Sequence, residues 1–462
     1  MTIDEVLRSQ PQPQRISGAR AQIRAGLVNG GQRLVIVDDD PTGAQTVHSV
    51  TELMDWSVPT LRRALETSGP VFFVCTNSRS LSPEEMRRVS LEAGHNLRQA
   101  AQVASVPVLL ASRGDSTLRG HYPGEVNALC EGFSLKPDGV IIAPAFLEAG
   151  RYTINDIHWA EQAGQLIPVH QTEFARDPVF GFKNSDLKAW VAENGGAARA
   201  GDVKALSLKT IREGGVSAVT AELMRVVHGT PVVVNAAAYE DLEVVALGLM
   251  AAEKAGKTFV YRCSASFVKA RGGFTDRPLL TRQEMAPGAG PGLVIAGSFV
   301  DKTSAQLARL LESGLAEGVE LHAAKLAAAE REPEIEAAAR AVDAGLRGGH
   351  MVALYTSRRV QAAGGGGFQQ TGASIMEALC QAVGRLRTRP GFVIAKGGIT
   401  SISVARQALG AREAYVVGQI IPGVPVWRLG AGSRWSGIPY VVFPGNVGDE
   451  GALMRAVTVL KG

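Results

Sequence analysis

The chain is 462 residues long, 45% hydrophobic and 20% charged, and its net charge of +4 falls in no block. So long a chain exceeds one ordinary core and calls for two domains. The small, scattered charge excludes a dedicated nucleic-acid or membrane-surface binder and leaves anionic metabolites open as partners.

In chain order, the first feature is a polar stretch, "MTIDEVLRSQPQPQRISG", without the apolar core of a signal peptide. Short β-branched runs then recur, each followed by small or polar residues and a helix-like stretch. They are "LVIVD" (34–38), "VFFVC" (71–75), "VPVLLAS" (106–112), "GVIIAP" (139–144) and "PVVVN" (231–235). At "MAPGAGPG" (285–292) Gly and Pro alternate without apolar periodicity, as at a domain entry. Beyond it come "GLVIAG" (292–297), "MVALYT" (351–356), "FVIAKGG" (392–398), "AYVVG" (414–418) and "PYVVFPG" (439–445). Apolar strands alternating with helices such as "LHAAKLAAAEREPEIEAAARAVDAGL" predict parallel sheets covered on both faces. The expected fold is α/β in two domains, 1–285 and 286–462. Each is a mainly parallel sheet flanked by helices, with the active site in the cleft between them. The run "GGGG" (364–367) is expected as a flexible loop close to a ligand.

No apolar stretch reaches the roughly 18 residues of a bilayer span. Cys75, Cys130, Cys263 and Cys380 lie far apart without a CxxC pair and read as reduced thiols of a cytoplasmic protein. The eight histidines are scattered and none is taken as catalytic.

Ligands of open α/β sheets sit beyond the carboxyl ends of the strands. In the first half those ends are polar. "VIV" ends in Asp38-Asp39-Asp40-Pro41-Thr42-Gly43, and "VFFVC" in Thr76-Asn77-Ser78-Arg79. "VLLAS" runs into "RGDSTLRG", which carries Arg113, Asp115 and Arg119, and "VIIAP" leads to "EAGRYT" with Arg151. Such a set suits a small polyhydroxylated anion: arginines grip its carboxylate, while Asp and Asn accept hydroxyl protons. Three adjacent carboxylates need a cation or a proton to manage. One is expected as general base on a substrate hydroxyl, with another beside it ordering Mg²⁺ or substrate. The triplet leaves open which aspartate is the base; Asp39 is preferred, with Asp38 next. Asp40, Thr42, Asn77, Ser78, Arg79, Arg113, Arg119 and Arg151 are the candidate substrate contacts. Simple turn formation by Asp-Pro-Thr-Gly and helix capping by Ser116 or Thr117 are the bland readings.

In the second half the strand ends are rich in Gly and Ser: "AGSFVDKT" (296–303), "KGGITS" (396–401), "GQIIPG" (418–423) and "FPGNVGDEG" (443–451). Glycines let backbone N–H groups approach an anion, and phosphate is the expected guest. Neither GxxxxGK[ST] nor a strand-following GxGxxG is present, which excludes the Walker and Rossmann loops.

Together "DDDPTGAQTV", "CTNSRSL", "RGDSTLRGHYPGE", "APAFLEAGRYTINDIHW", "AGSFVDKTSAQL", "KGGITS", "PGVPVW" and "FPGNVGDEGAL" resemble the four-carbon acid sugar kinases over about residues 33–460. The resemblance implies an N-terminal substrate domain and a C-terminal nucleotide domain. It implies ATP phosphorylating the terminal hydroxyl of a sugar acid such as threonate, erythronate or an oxo-tetronate. Carried onto this chain, Asp38, Asp39, Ser78, Arg79, Asp115 and Arg151 form the substrate pocket, with Asp115 joining the catalytic acids. Ser298, Gly397, Gly398, Ile399, Thr400 and Gly445 meet the nucleotide, with Asn446 beside them. Ile399 stands where relatives commonly have Asp, and "FPGNVGD" where many have Lys-Ser-Gly. Both departures mark a divergent branch, in which branched or five-carbon sugar acids enter the expected substrate range. No metal ligands are assigned, and a homodimer is allowed for. Two rivals remain. "VIVDDDPTG" satisfies the Asp-x-Asp-x-Thr pattern of an aspartyl-phosphate phosphatase (Asp38, Asp40, Thr42), although a later strand ending in paired acids is missing. A non-catalytic sugar-acid sensor is the other.

Overall fold

The computed structural model describes residues 2–298, 300–326, 330–357 and 368–462; the glycine run at 364–367 lies outside them. The chain forms two compact units, Met1–Thr46 with Asp55–Asp276, and Val47–Met54 with Arg277–Gly462. The junction thus lies between Asp276 and Arg277, upstream of the break read at 285. Residues 277–285 already belong to the second unit. The Arg277 guanidinium donates to the Val417 carbonyl at 2.8 Å, Leu280 N–H donates to Gln419 at 2.8 Å, and Met285 is fully buried in the second core. "MAPGAGPG" marks entry into a strand.

The first unit holds β1 (Arg33–Asp38), β3 (Val71–Cys75), β4 (Val108–Arg113), β5 (Gly139–Ala143), an antiparallel trio β6 (Arg151–Ile154), β7 (Ile157–Gln162) and β8 (Gln165–Pro168), then β9 (Lys204–Leu206), β10 (Thr230–Val234) and β11 (Phe259–Cys263); β2 (Val50–Leu53) belongs to the second unit. The main sheet runs β3-β1-β4-β11-β5-β10-β9, parallel throughout. Every residue of β3 and β11 is buried, as expected of strands covered on both faces. Packing fixes the flanking helices. Pro83–Ala104 starts on a capping box between Ser82 and Glu85 and buries Met86, Val89, Ala93, Leu97 and Ala100, one stripe at helical spacing. It crosses Gly124–Phe133 so closely that a Cβ at Gly94 would lie 2.5 Å from the Leu129 carbonyl. Glycine there is a packing requirement.

The second unit adds β12 (Gly292–Ala296), β13 (Glu317–Leu321), β14 (Val352–Thr356), β15 (Phe392–Lys396), β16 (Glu413–Ile421), β17 (Val424–Leu429) and β18 (Pro439–Phe443). Their order is β13-β14-β12-β15-β18-β17-β16-β2, parallel from β13 to β18 and antiparallel beyond. The helix Arg331–Arg347 lays Ile335, Ala338, Ala339, Val342 and Leu346 inward, again at helical spacing. All four cysteines are buried and none forms a disulfide. No described helix is long and apolar enough to cross a membrane.

Candidate active site

In the first unit β3, β1 and β4 are neighbours in register, with Asp38 opposite both Cys75 and Arg113. Whatever follows each strand therefore emerges at one edge. The loops are stitched together by backbone: Asp39 N–H donates to the Arg113 carbonyl and Arg79 N–H to the Asp39 carbonyl, both at 3.2 Å. Three aspartates then share two guanidinium groups. Arg79 forks onto both oxygens of Asp39, with Nε at 3.0 Å from Oδ2, and reaches Asp40 at 3.4 Å. Arg113 lies 3.4 Å from Asp38 and 3.8 Å from Asp39.

Their environments push these carboxyls apart. Burial, with added repulsion from Asp39 and Asp40, raises Asp38 to about 7 despite Arg113. Its Oδ2 is buried without a hydrogen-bond partner, and a Cβ at Gly43 would fall 1.3 Å from that oxygen. Gly43 is thus the residue that leaves Asp38 room. Asp40 goes the other way: burial pushes it up, but Arg79, Arg113 and the Thr42 hydroxyl and N–H (2.5 and 2.8 Å) hold it low. Asp115 is opposed by burial too, yet Arg79, Arg119 and the Thr117 hydroxyl bring it well below the carboxylate range. Beside it Leu118 adopts φ +69°, a left-handed conformation costly for a branched side chain.

The antiparallel trio carries the other wall. Arg119 donates to Asp115 at 2.8 Å and lies 3.6 Å from Asp177. Its guanidinium and that of Arg151 sit 5.1 and 5.7 Å from the centre of the Phe174 ring. Arg151 donates to the Ala149 carbonyl, but its Nε is buried and unpartnered, and no described carboxylate lies within 4.0 Å of it. A half-buried guanidinium with an unpartnered Nε has room for an anion's oxygen. His158 is fully buried, with its ring nitrogens 3.0 Å from the Thr153 hydroxyl and 2.7 Å from the Ser116 carbonyl. Burial lowers it to about 4, so it is neutral at pH 7 and braces the loop.

The edge thus brings together Asp38, Asp39, Asp40, Arg79, Arg113, Asp115, Arg119 and Arg151. Asn77 is turned aside, its amide donating to Ser80 at 2.9 Å, and the Thr42 hydroxyl is engaged by Asp40. Ser78 is buried, 3.2 Å from the Thr76 hydroxyl. Sequence reasoning missed Phe174 and Asp177, which lie off the strand ends. It also missed Arg262, inside a strand it did not recognise, whose guanidinium pairs with buried Glu125 at 3.2 Å. Glycine at 114 is what admits that group, since a Cβ there would lie 2.0 Å from it.

In the second unit the ends of β12, β15 and β18 are level, with Lys396 opposite Ala296 and Phe443. Gly397 has φ +113°, and a Cβ on it would lie 2.9 Å from that of Ser298 and 3.1 Å from the Thr400 hydroxyl. Gly445 approaches the Ser298 hydroxyl equally closely, at 3.1 Å from its notional Cβ. Ser298, Gly397, Thr400 and Gly445 therefore converge, with Gly398 and Ile399 opening the helix Gly398–Ser403 and Asn446 exposed beside Gly445. Ile399 is 52% exposed, a large apolar group facing water. "GQIIPG" is not such a strand end: β16 runs through it to Ile421 because it forms a hairpin with β17, so that segment leaves the site. Sequence reasoning also passed over Lys396, which is completely buried.

An acid- and arginine-lined sheet edge on one α/β unit and a glycine-walled edge on the other are what a polyhydroxylated anion and a phosphate-bearing ligand would each require. The family models agree: a sugar-binding N-terminal domain matches residues 34–271 and a nucleotide-binding C-terminal domain residues 293–453. The chain belongs to the four-carbon acid sugar kinase family. It is 25% identical over 459 residues to a D-threonate kinase of Salmonella typhimurium, covering 93% of this chain and 98% of the relative. It is 30% identical over 223 residues to a D-erythronate kinase of Heliobacterium modesticaldum, a match to 46% of this chain and about half (47%) of that relative. A crystal structure of a Haemophilus influenzae protein from a family of unknown function shares the fold, with a TM-score of 0.62 at 19% identity over 92% of this chain and 100% of that one. A Salmonella typhimurium structure does likewise, at 0.66, 19%, 92% and 98%.

Proposed function

We propose that the chain is an ATP-dependent kinase that phosphorylates the terminal hydroxyl of a four-carbon sugar acid. Threonate, erythronate and oxo-tetronates come first, and branched or five-carbon acids extend the range. The observation that carries the reading is half-buried Arg151, whose Nε has no hydrogen-bond partner and which has no described carboxylate within ion-pair distance, on the same edge as carboxylates kept ionised in part by Arg79 and Arg119. Arg151 and Arg119 take the substrate carboxylate; Asp39, Asp40 and Asp115 accept hydrogen bonds from its hydroxyls. The substrate hydroxyl oxygen attacks the γ-phosphorus, the bond to the β–γ bridging oxygen breaks, ADP leaves, and the hydroxyl proton passes to Asp39. Such transfers proceed through a loose transition state, so orientation of the alcohol matters more than the strength of the base. A carboxyl group gripped on both oxygens by Arg79 suits that role better than Asp38, which burial pushes up to about 7 and which caps the turn by accepting from Asp40 N–H at 3.1 Å.

Among the described residues no group of three or more His, Cys, Asp or Glu is placed to hold a metal. Mg²⁺ would arrive on the nucleotide phosphates, and Asp40, the most exposed of the triplet, is the carboxylate available to it. Mg²⁺ there would neutralise charge on the transferring phosphoryl group. The phosphatase rival gains nothing: among the described residues no other strand of the first unit ends in paired acids.

Purified protein with Mg²⁺-ATP, screened against tetronates and oxo-tetronates in a coupled ADP assay, is expected to turn over at least one of them. No turnover with any acid, with phosphate released from phosphorylated acids instead, reverses the assignment. Within an active enzyme, Phe174→Leu keeps apolar bulk but removes the ring face that both arginines share. An exposed cation–π contact contributes about 0.5–1 kcal/mol and a desolvated one about 2. The KM for the acid should rise about five- to thirtyfold, with the KM for ATP unchanged; equal KM values for the acid would take Phe174 out of the pocket.

A further inference from the structure

Three consecutive carbonyls after β18 are held by two ammonium groups. Lys396 Nζ donates to Pro444 at 2.6 Å and lies 3.4 Å from the Gly445 oxygen; Lys302 Nζ donates to Asn446 at 3.2 Å. Lys396 is completely buried, with its Nζ 4.0 Å from the Phe443 ring centre. No described carboxylate lies within 4.0 Å of either lysine. Two ammonium groups converge on a three-residue loop where carbonyls and a ring face, but no described carboxylate, receive them, an arrangement that an anion would complete.

The loop geometry points to where that anion sits. These peptide bonds are trans, so a carbonyl and the N–H that follows it face opposite ways. Carbonyls 444, 445 and 446 drawn toward lysines turn the N–H groups of Gly445, Asn446 and Val447 outward. Among the described residues none of those three N–H groups meets an acceptor. Successive N–H groups free on one side of a turn make an anion-binding concavity. Thr303 and Gln306, on the helix Asp301–Glu312, fix the same loop from the Gly445, Val447 and Asp449 carbonyls at 3.2, 3.0 and 2.7 Å.

We propose that Lys396 and Lys302 build the polyphosphate cradle of the second unit: Lys396 positions the loop from beneath, and Lys302, exposed at its rim, meets the phosphates directly. This rests on the nucleotide reading of that unit and adds two residues to it. Burial and the charge of Lys302 lower Lys396 to about 7, so phosphate binding restores its full charge.

The test is calorimetric titration of the full chain with ADP and with adenosine, in EDTA so that no divalent cation contributes. Lys302→Met and Lys396→Met should each weaken ADP at least about tenfold, the scale of one hydrogen bond to a charged group, and leave adenosine unchanged. Lys302→Arg should restore ADP binding. Equal ADP affinity in parent and variants overturns the proposal, and so does a parallel loss of ADP and adenosine, which marks a merely structural role. If Lys396→Met does not fold, exposed Lys302 carries the test. A parent that binds no adenine nucleotide overturns the nucleotide reading and this inference with it; one that binds ADP while its Lys302 variant is unaffected overturns the inference alone.

Discussion

Replacing Asp39 by Asn is expected to cut sugar-acid phosphorylation by about 10²–10⁴-fold, the usual contribution of a positioned general base. Asn has the same shape but presents one NH₂ group to Arg79, whose two N–H donors now bind two carboxylate oxygens. The fork is halved, the guanidinium loses its anchor, and the group that takes the alcohol's proton is gone. The residues proposed for the nucleotide all lie in the other unit, so the affinity for ADP should not change. Steady-state turnover together with ADP titration checks both halves. Turnover within a few-fold of the parent would remove Asp39 from the reaction, and parallel loss of ADP binding would mark a folding defect instead.

Much of this edge was legible because a parallel strand buried on both faces writes an uninterrupted apolar run. "VFFVC" and "GVIIA" could scarcely be anything else, and the polar residues after them had to emerge together. β11 escaped notice because Arg262 breaks its run, and a buried arginine is legible only once Glu125 is seen beside it. β13, "EGVEL", is an edge strand whose exposed charges hide it. Phe174 and Asp177 reach Arg119 and Arg151 from a short 3₁₀ turn, which has no periodicity to read. Lys396 was visible as a letter in "KGGITS", but nothing local tells a buried lysine under a turn from a solvated one. The hairpin of β16 and β17 misled for the opposite reason: "AYVVG" ends in glycine as a parallel strand would, yet the strand continues.

Arg79→Met tests how far this guanidinium keeps Asp40 and Asp115 ionised. Removing one partner of a buried pair costs about 3–5 kcal/mol, since the remaining charge stays buried without compensation. Here Asp39 and Asp40 both lose Arg79, while Arg113 already serves Asp38 and stands 3.8 Å from Asp39. The sign of the pH dependence follows. In the parent, Asp40 and Asp115 have depressed pKa values, in part through Arg79. Their contribution to stability is present above the unfolded carboxylate pKa of about 4 and is lost as pH falls through the folded values. In the variant the upward push of burial meets only Arg113 and Thr42 at Asp40, and Arg119 and Thr117 at Asp115, so both carboxyls take the proton more readily. The deficit in thermal midpoint should therefore be largest near pH 8 and shrink toward about pH 4.5. Arg79→Lys restores a charge but no fork, so it should recover much of the midpoint while the KM for the acid stays high. A deficit that does not change with pH, or full kinetic recovery with lysine, would mean that Arg79 acts through packing alone and that the triplet is managed by other groups.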